Sequence, residues 1–117
     1  MEFIGKLIKK ITYADTTAVT VGSKPPNSII TSINVVVITA FNAGGNDYLD
    51  IGTATTAAAI VNDHSLASKG SAAVTIAATA NDDLSASNST IIKAVYVPAG
   101  SAATAGEAYV VVNLAQL

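Results

Sequence analysis

The chain has 117 residues, of which 50% are hydrophobic and only 12% are charged. That length suits one domain, and so large an apolar fraction excludes a disordered chain. Six lysines and no arginine accompany eight acidic residues, and the net charge of -2 argues against nucleic acid as a partner. Without cysteine the chain can form no disulfide, thiolate nucleophile or zinc knuckle, so packing must supply its stability.

The amino-terminal segment combines large apolar side chains with lysines. Residues 1–11 read MEFIGKLIKKI, which lacks the uninterrupted apolar stretch and the cleavage site of a signal peptide. We predict a single sandwich domain over residues 1–117 in which residues 1–5 form a docking arm, with an amphipathic membrane anchor as the alternative. The residues expected to contact a partner protein or a neighbouring subunit are Phe3, Ile4, Lys6, Leu7 and Ile8.

Short strands joined by turns are predicted in the first half, because β-branched residues fill the periodic segments and Gly, Asn, Ser and Pro lie between them. Strands are expected at residues 6–13 and 18–21, followed by a loop at 22–27 that contains two prolines. Residues 29–41 are apolar on both faces, which is typical of a central strand or of one pressed against a neighbouring subunit. Residues 47–52 form the next predicted strand.

The second half is less regular. Residues 55–61 are the one candidate for a helical turn, although β-branched neighbours disfavour it. A strand is predicted at 72–78, followed by a polar turn at 81–83 and a loop at 85–89. The last two strands, 91–97 and 107–113, are joined by a loop of small residues.

About eight short strands in a chain of this size predict an all-β fold, namely a single small β-sandwich of jelly-roll type, with a barrel as the alternative. Alanine is the commonest residue, and it adds little to a core in which each buried valine or isoleucine contributes roughly 1.5–3 kcal/mol. The core of a monomer should therefore be thin. Together with the two-faced strand at 29–41, this thin core predicts a homo-oligomer.

Few residues could carry chemistry. His64 is the one side chain expected to titrate near neutral pH, but its neighbours in the run 62–65 (NDHS) point apart and cannot form a triad, so we expect a solvated loop. Asp47 with Asp50, and the pair at 82–83, could hold calcium, yet neither run matches an EF-hand, and turn formation by the side chains explains both. No catalytic residue, cofactor site or metal site is predicted.

Sugar binding by a sandwich would need a platform of exposed aromatic rings. The chain has no tryptophan, and its tyrosines are Tyr13, Tyr48, Tyr96 and Tyr109. Three of the four lie within strand patterns, where packing against other residues is the commoner outcome.

Two segments are more specific than the rest of the sequence. Residues 39–53 read TAFNAGGNDYLDIGT, and residues 94–112 read AVYVPAGSAATAGEAYVVV. They resemble segments of short structural proteins of tailed bacteriophages that decorate or cement the head shell. The resemblance implies a jelly-roll-like sandwich, often a trimer, located where capsid subunits meet, with no catalytic residues.

The sequence therefore leads us to expect a non-enzymatic virion protein on the outer surface of a phage capsid. Its expected partners are the major capsid protein and further copies of itself, with neither nucleic acid nor membrane involved. The alternative is a receptor-binding or carbohydrate-binding module of a phage tail or fibre. Exposed tyrosine rings around one concave surface would favour that alternative.

Overall fold

A computed structural model describes residues 2–54, 56–77 and 89–116, with side chains from Gly5 onward. The described residues form eight β-strands and no helix, so the all-β prediction is confirmed. The strands are β1 Glu2–Thr12, β2 Val19–Lys24, β3 Ser28–Thr39, β4 Asp47–Thr53, β5 Val61–Ser65, β6 Gly70–Val74, β7 Thr90–Pro98 and β8 Glu107–Gln116.

The strands form two antiparallel sheets of four strands each. The first sheet has the order β1-β8-β3-β6 and the second has the order β2-β7-β4-β5. Strand β1 therefore pairs with β8, β2 with β7, β3 with β6, and β4 with β5. This nesting is what a single long hairpin produces when it rolls up, and it is the jelly-roll arrangement. The predicted small sandwich is confirmed, and two separate sheets exclude the barrel.

The two ends of the sandwich differ. The connections after β1, β3 and β7 meet at one end, where the backbone N–H of Tyr13 donates to the Gly106 carbonyl and that of Gly44 donates to the Ser101 carbonyl. We call this end the loop end. The paired start of β1 and end of β8 lie at the opposite end, which we call the terminal end.

The core lies between the sheets and follows the alternation of strand side chains. Ile33 and Val35 of β3 and Val110 and Val112 of β8 are fully buried, while the residues between them point to the outer face. Aliphatic residues make up most of the core. Its two aromatic rings, Phe41 and Tyr96, pack against each other with their centroids 4.8 Å apart.

Two boundaries near the amino terminus differ from the sequence prediction. Strand β1 begins at Glu2 instead of residue 6, because the backbone of the predicted arm pairs with the end of β8 across a bulge between Phe3 and Gly5. Strand β2 continues to Lys24, within the segment predicted as a loop. The extension is possible because the residues that cannot donate to a ladder, the two prolines, begin only at position 25.

Strand β5 is absent from the sequence prediction, which has a loop around His64 and residues 55–61 as a candidate helical turn. The described part of 55–61 contains no helix. A register shift between Leu49 and Ile51 of β4, together with a positive φ of 58° at Asp63, interrupts the alternation that would reveal β5. Strand β6 ends at Val74 instead of residue 78. The polar turn predicted at 81–83 lies outside the described residues, as does the loop predicted at 85–89 except for its last residue. No helix in the described part of the chain has the length and apolar character needed to cross a membrane.

Candidate interaction surfaces

The outer face of the first sheet carries a continuous apolar strip. Ile8 of β1 lies opposite Val111 of β8, and Val36 of β3 lies opposite Tyr109. Alternate residues of a strand share a face, which joins Val111 to Tyr109 and Val36 to Ile38. Ile8 is 58% exposed and Ile38 is 43% exposed, and the residues between them are half-buried. We call these five residues, Ile8, Val111, Tyr109, Val36 and Ile38, the diagonal strip.

Lysines flank the diagonal strip along the edge strand β1. The Lys10 ammonium lies 3.0 Å from a carboxylate oxygen of Glu107, and the hydrogen bond between them raises the pKa of Lys10. Lys6 is exposed on the same face, whereas the exposed Lys9 lies opposite the buried Val110 and belongs to the other side of this edge strand. Among the described side chains, this edge therefore combines three cations and one carboxylate with apolar surface. Such a combination is complementary to an acidic and partly apolar partner.

The residues predicted to contact a partner all lie in β1. Lys6 and Ile8 belong to the outer face of the first sheet and are exposed. Leu7 points the other way and packs against the core, with its side chain beside Gly22. The side chains of Phe3 and Ile4 lie outside the described residues. Within this set, Lys6 and Ile8 are the described side chains that are exposed.

The outer face of the second sheet has a less continuous apolar surface. Ile91 is 46% exposed and Val97 is 39% exposed, and Val97 lies opposite Tyr48. Lys93 lies on the same face between Ile91 and Val97, and the half-buried Asp50 lies two residues after Tyr48 on β4. Lys93 separates Ile91 from the half-buried Val95 and from Val97, so the apolar positions of this face are interrupted by charge.

The two segments that carry the phage resemblance meet at the loop end. The side-chain oxygen of Asn42 accepts hydrogen bonds from the backbone N–H groups of Thr104 (2.8 Å) and Ala105 (3.0 Å), and its amide nitrogen donates to the Thr104 hydroxyl at 2.9 Å. The backbone N–H of Gly44 donates to the Ser101 carbonyl at 2.9 Å. These residues therefore hold the loop after β3 against the loop after β7, which is a structural role.

Asp47, a candidate calcium ligand in the sequence, is a buried hydrogen-bond acceptor. Its side chain is 4% exposed, and one carboxylate oxygen accepts from the Tyr96 hydroxyl (2.5 Å) and from the Ala43 backbone N–H (3.1 Å). Burial raises the pKa of Tyr96, and the hydrogen bond to Asp47 raises it further. Asp47 thus joins β4 to β7 and to the loop that precedes β4.

Asp50, the second candidate ligand, accepts a hydrogen bond from the backbone N–H of Asp63 at 2.8 Å. That contact stabilises the irregular start of β5, where Asp63 has a positive φ. The acidic pair at 82–83 lies outside the described residues. Within residues 2–54, 56–77 and 89–116, no three acidic, histidine or cysteine side chains are grouped closely enough to hold a metal ion.

His64 lies in β5 opposite Leu49 and is half-buried, so the loop predicted around it is wrong. The edge position explains the partial burial, since β5 is the last strand of the second sheet. Burial lowers the pKa of His64 below its ordinary value of 6.5, because the charged imidazolium loses hydration.

The lowered pKa of His64 predicts a small dependence of stability on pH. Above the unfolded-state pKa the residue is neutral in both states, so it does not make the free energy of unfolding depend on pH. As the pH falls from about 7 to about 5.5, the unfolded chain binds the proton first, so the free energy of unfolding should decrease. The variant His64→Gln should flatten this change in urea titrations while leaving attachment to a partner unchanged. If the unchanged protein and the His64→Gln variant lose the same stability over this pH range, His64 is not the cause of the change.

The four tyrosines do not form one aromatic platform. Tyr96 is 4% exposed within the core, and Tyr13 is 41% exposed on the turn after β1. Tyr109 lies on the outer face of the first sheet and Tyr48 on that of the second, and both are half-buried. The rings therefore belong to separate surfaces, which gives no support to a sugar site built from them.

Comparisons with known proteins bear on the fold. No protein-family model matches the chain, and no curated protein matches it. A solved structure of the capsid asymmetric unit of cyanophage Pam1 contains a similar chain, with 15% sequence identity and a TM-score of 0.71. The matched region covers 96% of this chain and 84% of that chain. At this identity, the comparison shows that the two chains share a fold.

Proposed function

We propose that this protein is a non-enzymatic structural component of a tailed-phage virion. It decorates the outer surface of the capsid and stabilises the capsid by bridging neighbouring shell subunits. The observation that carries the proposal is the similarity of almost the whole sandwich to a chain of a cyanophage capsid structure. The resemblance of residues 39–53 and 94–112 to small phage structural proteins supports the same role.

The surface chemistry supports binding to protein. Protein interfaces gain most of their affinity from apolar and aromatic residues at the centre, with charged groups at the rim. The diagonal strip and the lysines of β1 have that arrangement. The partners in this proposal are the major capsid protein and further copies of the chain, and the resemblance implies a trimer.

Electron cryo-microscopy of intact virions that contain this protein tests the proposal. We expect density of the shape and size of the sandwich at symmetry-related positions on the outside of the head. Density at a tail tip or fibre would instead support the receptor-binding or carbohydrate-binding alternative. Absence of the chain from purified virions would remove the virion role altogether.

We propose that the amino-terminal part of β1 makes the contact with the shell, with Lys6 as a charged contributor. The variant Lys6→Glu should weaken binding to capsids that lack the protein by about tenfold at low salt, because the cation would no longer meet an acidic surface. Cosedimentation with such capsids over a series of protein concentrations measures the affinity. The melting temperature should change by no more than about 2 °C, since Lys6 is exposed.

Lys69→Glu is the matched control, because Lys69 is also an exposed lysine but lies before β6, near the loop end. It should bind within about twofold of the unchanged protein, since a distant exposed charge adds little. Deleting residues 1–5 should weaken attachment more than Lys6→Glu does, although it also removes strand pairing with β8. Equal affinities for the Lys6→Glu and Lys69→Glu variants would rule out Lys6 as a contributor.

A further inference from the structure

We propose that β1 binds an extended acidic segment of a shell subunit, which joins the first sheet as an additional antiparallel strand. The segment lies along the side of β1 that faces away from β8, and we call that side, over residues 6–10, the open edge. The assignment of the segment to a shell subunit rests on the proposed function. The addition of a strand is argued from the geometry and the charges of β1 itself.

Strand β1 is the longest of the four strands that lie at sheet edges, which are β1, β6, β2 and β5. It has 11 residues, whereas β2 has 6 and β5 and β6 have 5 each. Edge strands are usually short or irregular, because such strands pair poorly with another chain. The pairing of β2 and of β5 contains register shifts, while β1 keeps one register from Gly5 to Thr12. Its edge is therefore the one best suited to an added strand.

Hydrogen bonds beside the loop end show which residues of β1 face the open edge. The backbone N–H of Tyr13 donates to the Gly106 carbonyl, in the same register as the pairs between β1 and β8. The backbone N–H of Thr12 donates instead to a carboxylate oxygen of Asp15 at 2.8 Å. Successive residues of a strand direct their N–H and C=O groups to opposite sides. The even-numbered residues of β1 after the bulge therefore face away from β8.

The open edge has main-chain groups for a short ladder. Lys6, Ile8 and Lys10 each direct one N–H and one C=O toward it, which allows up to about six main-chain hydrogen bonds to an added strand. In the described part of the chain, no strand lies on that side of β1. The Asp15 carboxylate ends the ladder toward the loop end, and the bulge before Lys6 ends it toward the terminal end.

The side chains leave the open edge accessible. Lys6, Ile8 and Lys9 are exposed, and Ile8 is the most exposed large apolar residue among the described side chains, at 58%. Residues directly opposite each other on paired strands contact through their side chains. An added strand with an apolar residue opposite Ile8 would therefore cover it and extend the diagonal strip beyond β1.

The charges at the open edge favour an acidic strand. The ammonium of Lys10 pairs with Glu107 at 3.0 Å, whereas Lys6 and Lys9 have no carboxylate at ion-pair distance among the described side chains. Lys6 points to the outer face of the first sheet and Lys9 to the other face. Opposite charges on paired strands stabilise the pairing. The complementary strand thus has acidic residues opposite Lys6 and Lys9 and an apolar residue opposite Ile8.

A second copy of the chain is disfavoured at the open edge. Antiparallel pairing of two β1 strands centred on Ile8 would place Lys6 of one copy opposite Lys10 of the partner subunit. Like charges directly opposite each other destabilise a sheet, and lysines on edge strands commonly prevent such self-pairing. The same lysines attract a strand of opposite charge, so they discriminate between the two occupants.

A synthetic peptide added to the full-length protein tests the strand addition. Its sequence is Ser-Thr-Thr-Glu-Val-Val-Glu-Thr-Ser, so antiparallel pairing sets its glutamates opposite Lys9 and Lys6 and its first valine opposite Ile8. We expect saturable NMR shifts of the amides of residues 6–10 below about 2 mM peptide. At about four times the measured Kd, hydrogen exchange of the Lys6, Ile8 and Lys10 amides should slow by about fivefold, because about a fifth of the edges remain free.

Methylation of single peptide nitrogens separates strand addition from contact between charges. In the antiparallel arrangement the first valine of the peptide directs its N–H at Ile8, whereas the second valine directs its N–H away from β1. N-methylation of the first valine should weaken binding by at least about tenfold, and N-methylation of the second by about twofold or less. Equal effects of the two methyl groups, or peptide binding without slowed exchange, would overturn the strand addition.

Attachment to capsids tests whether a shell segment occupies the open edge. Ile8→Pro removes the N–H at the centre of that edge, and an edge strand tolerates proline where the N–H faces away from its neighbour. Ile8→Ala is the matched control, because it removes most of the same side chain and keeps the N–H. Circular dichroism checks that both variants are folded. Ile8→Pro should bind capsids that lack the protein at least about tenfold more weakly than Ile8→Ala does.

The outcomes separate this proposal from the proposed function. If the unchanged protein attaches to capsids and Ile8→Pro attaches as well as Ile8→Ala, the decoration role remains and the strand addition is overturned. If the peptide binds with slowed exchange but the protein never attaches to capsids, the open edge binds acidic strands and the decoration role fails. If exchange at residues 6–10 slows with protein concentration alone, a second copy occupies the edge and the acidic partner is overturned.

Discussion

Replacing Asp47 with alanine should lower the free energy of unfolding by about 3 kcal/mol, because the Tyr96 hydroxyl and the Ala43 backbone N–H would both lose their buried acceptor. For a domain of this size, that change corresponds to a fall in melting temperature of roughly 10 °C. Urea titration followed by circular dichroism measures the free energy. The loss should be this large because Asp47 is 4% exposed, so water cannot replace the missing acceptor.

Asp50→Ala is the matched control. Asp50 is half-buried, and the hydrogen bond that its carboxylate accepts from Asp63 is open to solvent. Removing it should therefore lower the free energy of unfolding by about 1 kcal/mol or less. Neither calcium nor EDTA should change the melting temperature of the unchanged protein. If EDTA lowers that temperature and calcium restores it, and if Asp47→Ala and Asp50→Ala both abolish the shift, the two carboxylates hold a metal ion and the hydrogen-bond account is wrong.

The sheet architecture could be anticipated from the sequence because the long strands have regular patterns. Strands β3 and β8 alternate buried with half-buried or exposed residues over most of their length, and turn residues separate them from their neighbours. Strand β5 could not be anticipated, since the positive φ of Asp63 and the shifted register with β4 break the period of two. A local interruption removes the pattern although the strand remains.

The diagonal strip could be predicted only in part. Because residues 29–41 are apolar on both faces, the sequence predicted that Val36 and Ile38 would pack against another part of the sandwich or against a neighbouring subunit. The registers that set Val111 beside Ile8 and Tyr109 beside Val36 depend on pairing between strands far apart in the sequence. No pattern within a single segment contains that information. The hydrogen bonds at the loop end could not be predicted either, because they join residues separated by about sixty positions.

The buried Lys24 illustrates a further limit. A lysine beside two prolines suggests a solvated loop, yet its side chain is fully buried and its ammonium donates to the carbonyls of Pro25 (3.0 Å) and Ser28 (2.9 Å). Burial lowers its pKa, since the charged form loses hydration. These carbonyls belong to the turn that joins β2 to β3, two strands of different sheets, and no pattern within the segment 22–27 indicates that the turn directs them at the ammonium.

Gly106→Ala should be among the most destabilising single changes in the protein, with a loss of about 4 kcal/mol in the free energy of unfolding. Gly106 has a φ of +153°, which an alanine adopts only with strain, and a Cβ at this position would lie 2.5 Å from the Phe41 ring. The ring cannot move away easily, because it is 2% exposed and packs against Tyr96. Overpacking of this kind typically costs about 1–3 kcal/mol, and the backbone strain adds to it.

Gly70→Ala separates the two causes, because Gly70 has a similar φ of +132° but nothing lies within 4 Å of the point that an added Cβ would occupy. The free energy of unfolding of the Gly70→Ala variant should fall by only about 1 kcal/mol, which is the contribution of backbone strain alone. Adding Phe41→Leu to Gly106→Ala should recover about 1–2 kcal/mol relative to the sum of the single changes, since the smaller side chain relieves the clash. If the Gly106→Ala and Gly70→Ala variants unfold at the same urea concentration, the Phe41 ring does not limit the space at Gly106. The core beside the loop end would then be more adaptable than its packing indicates.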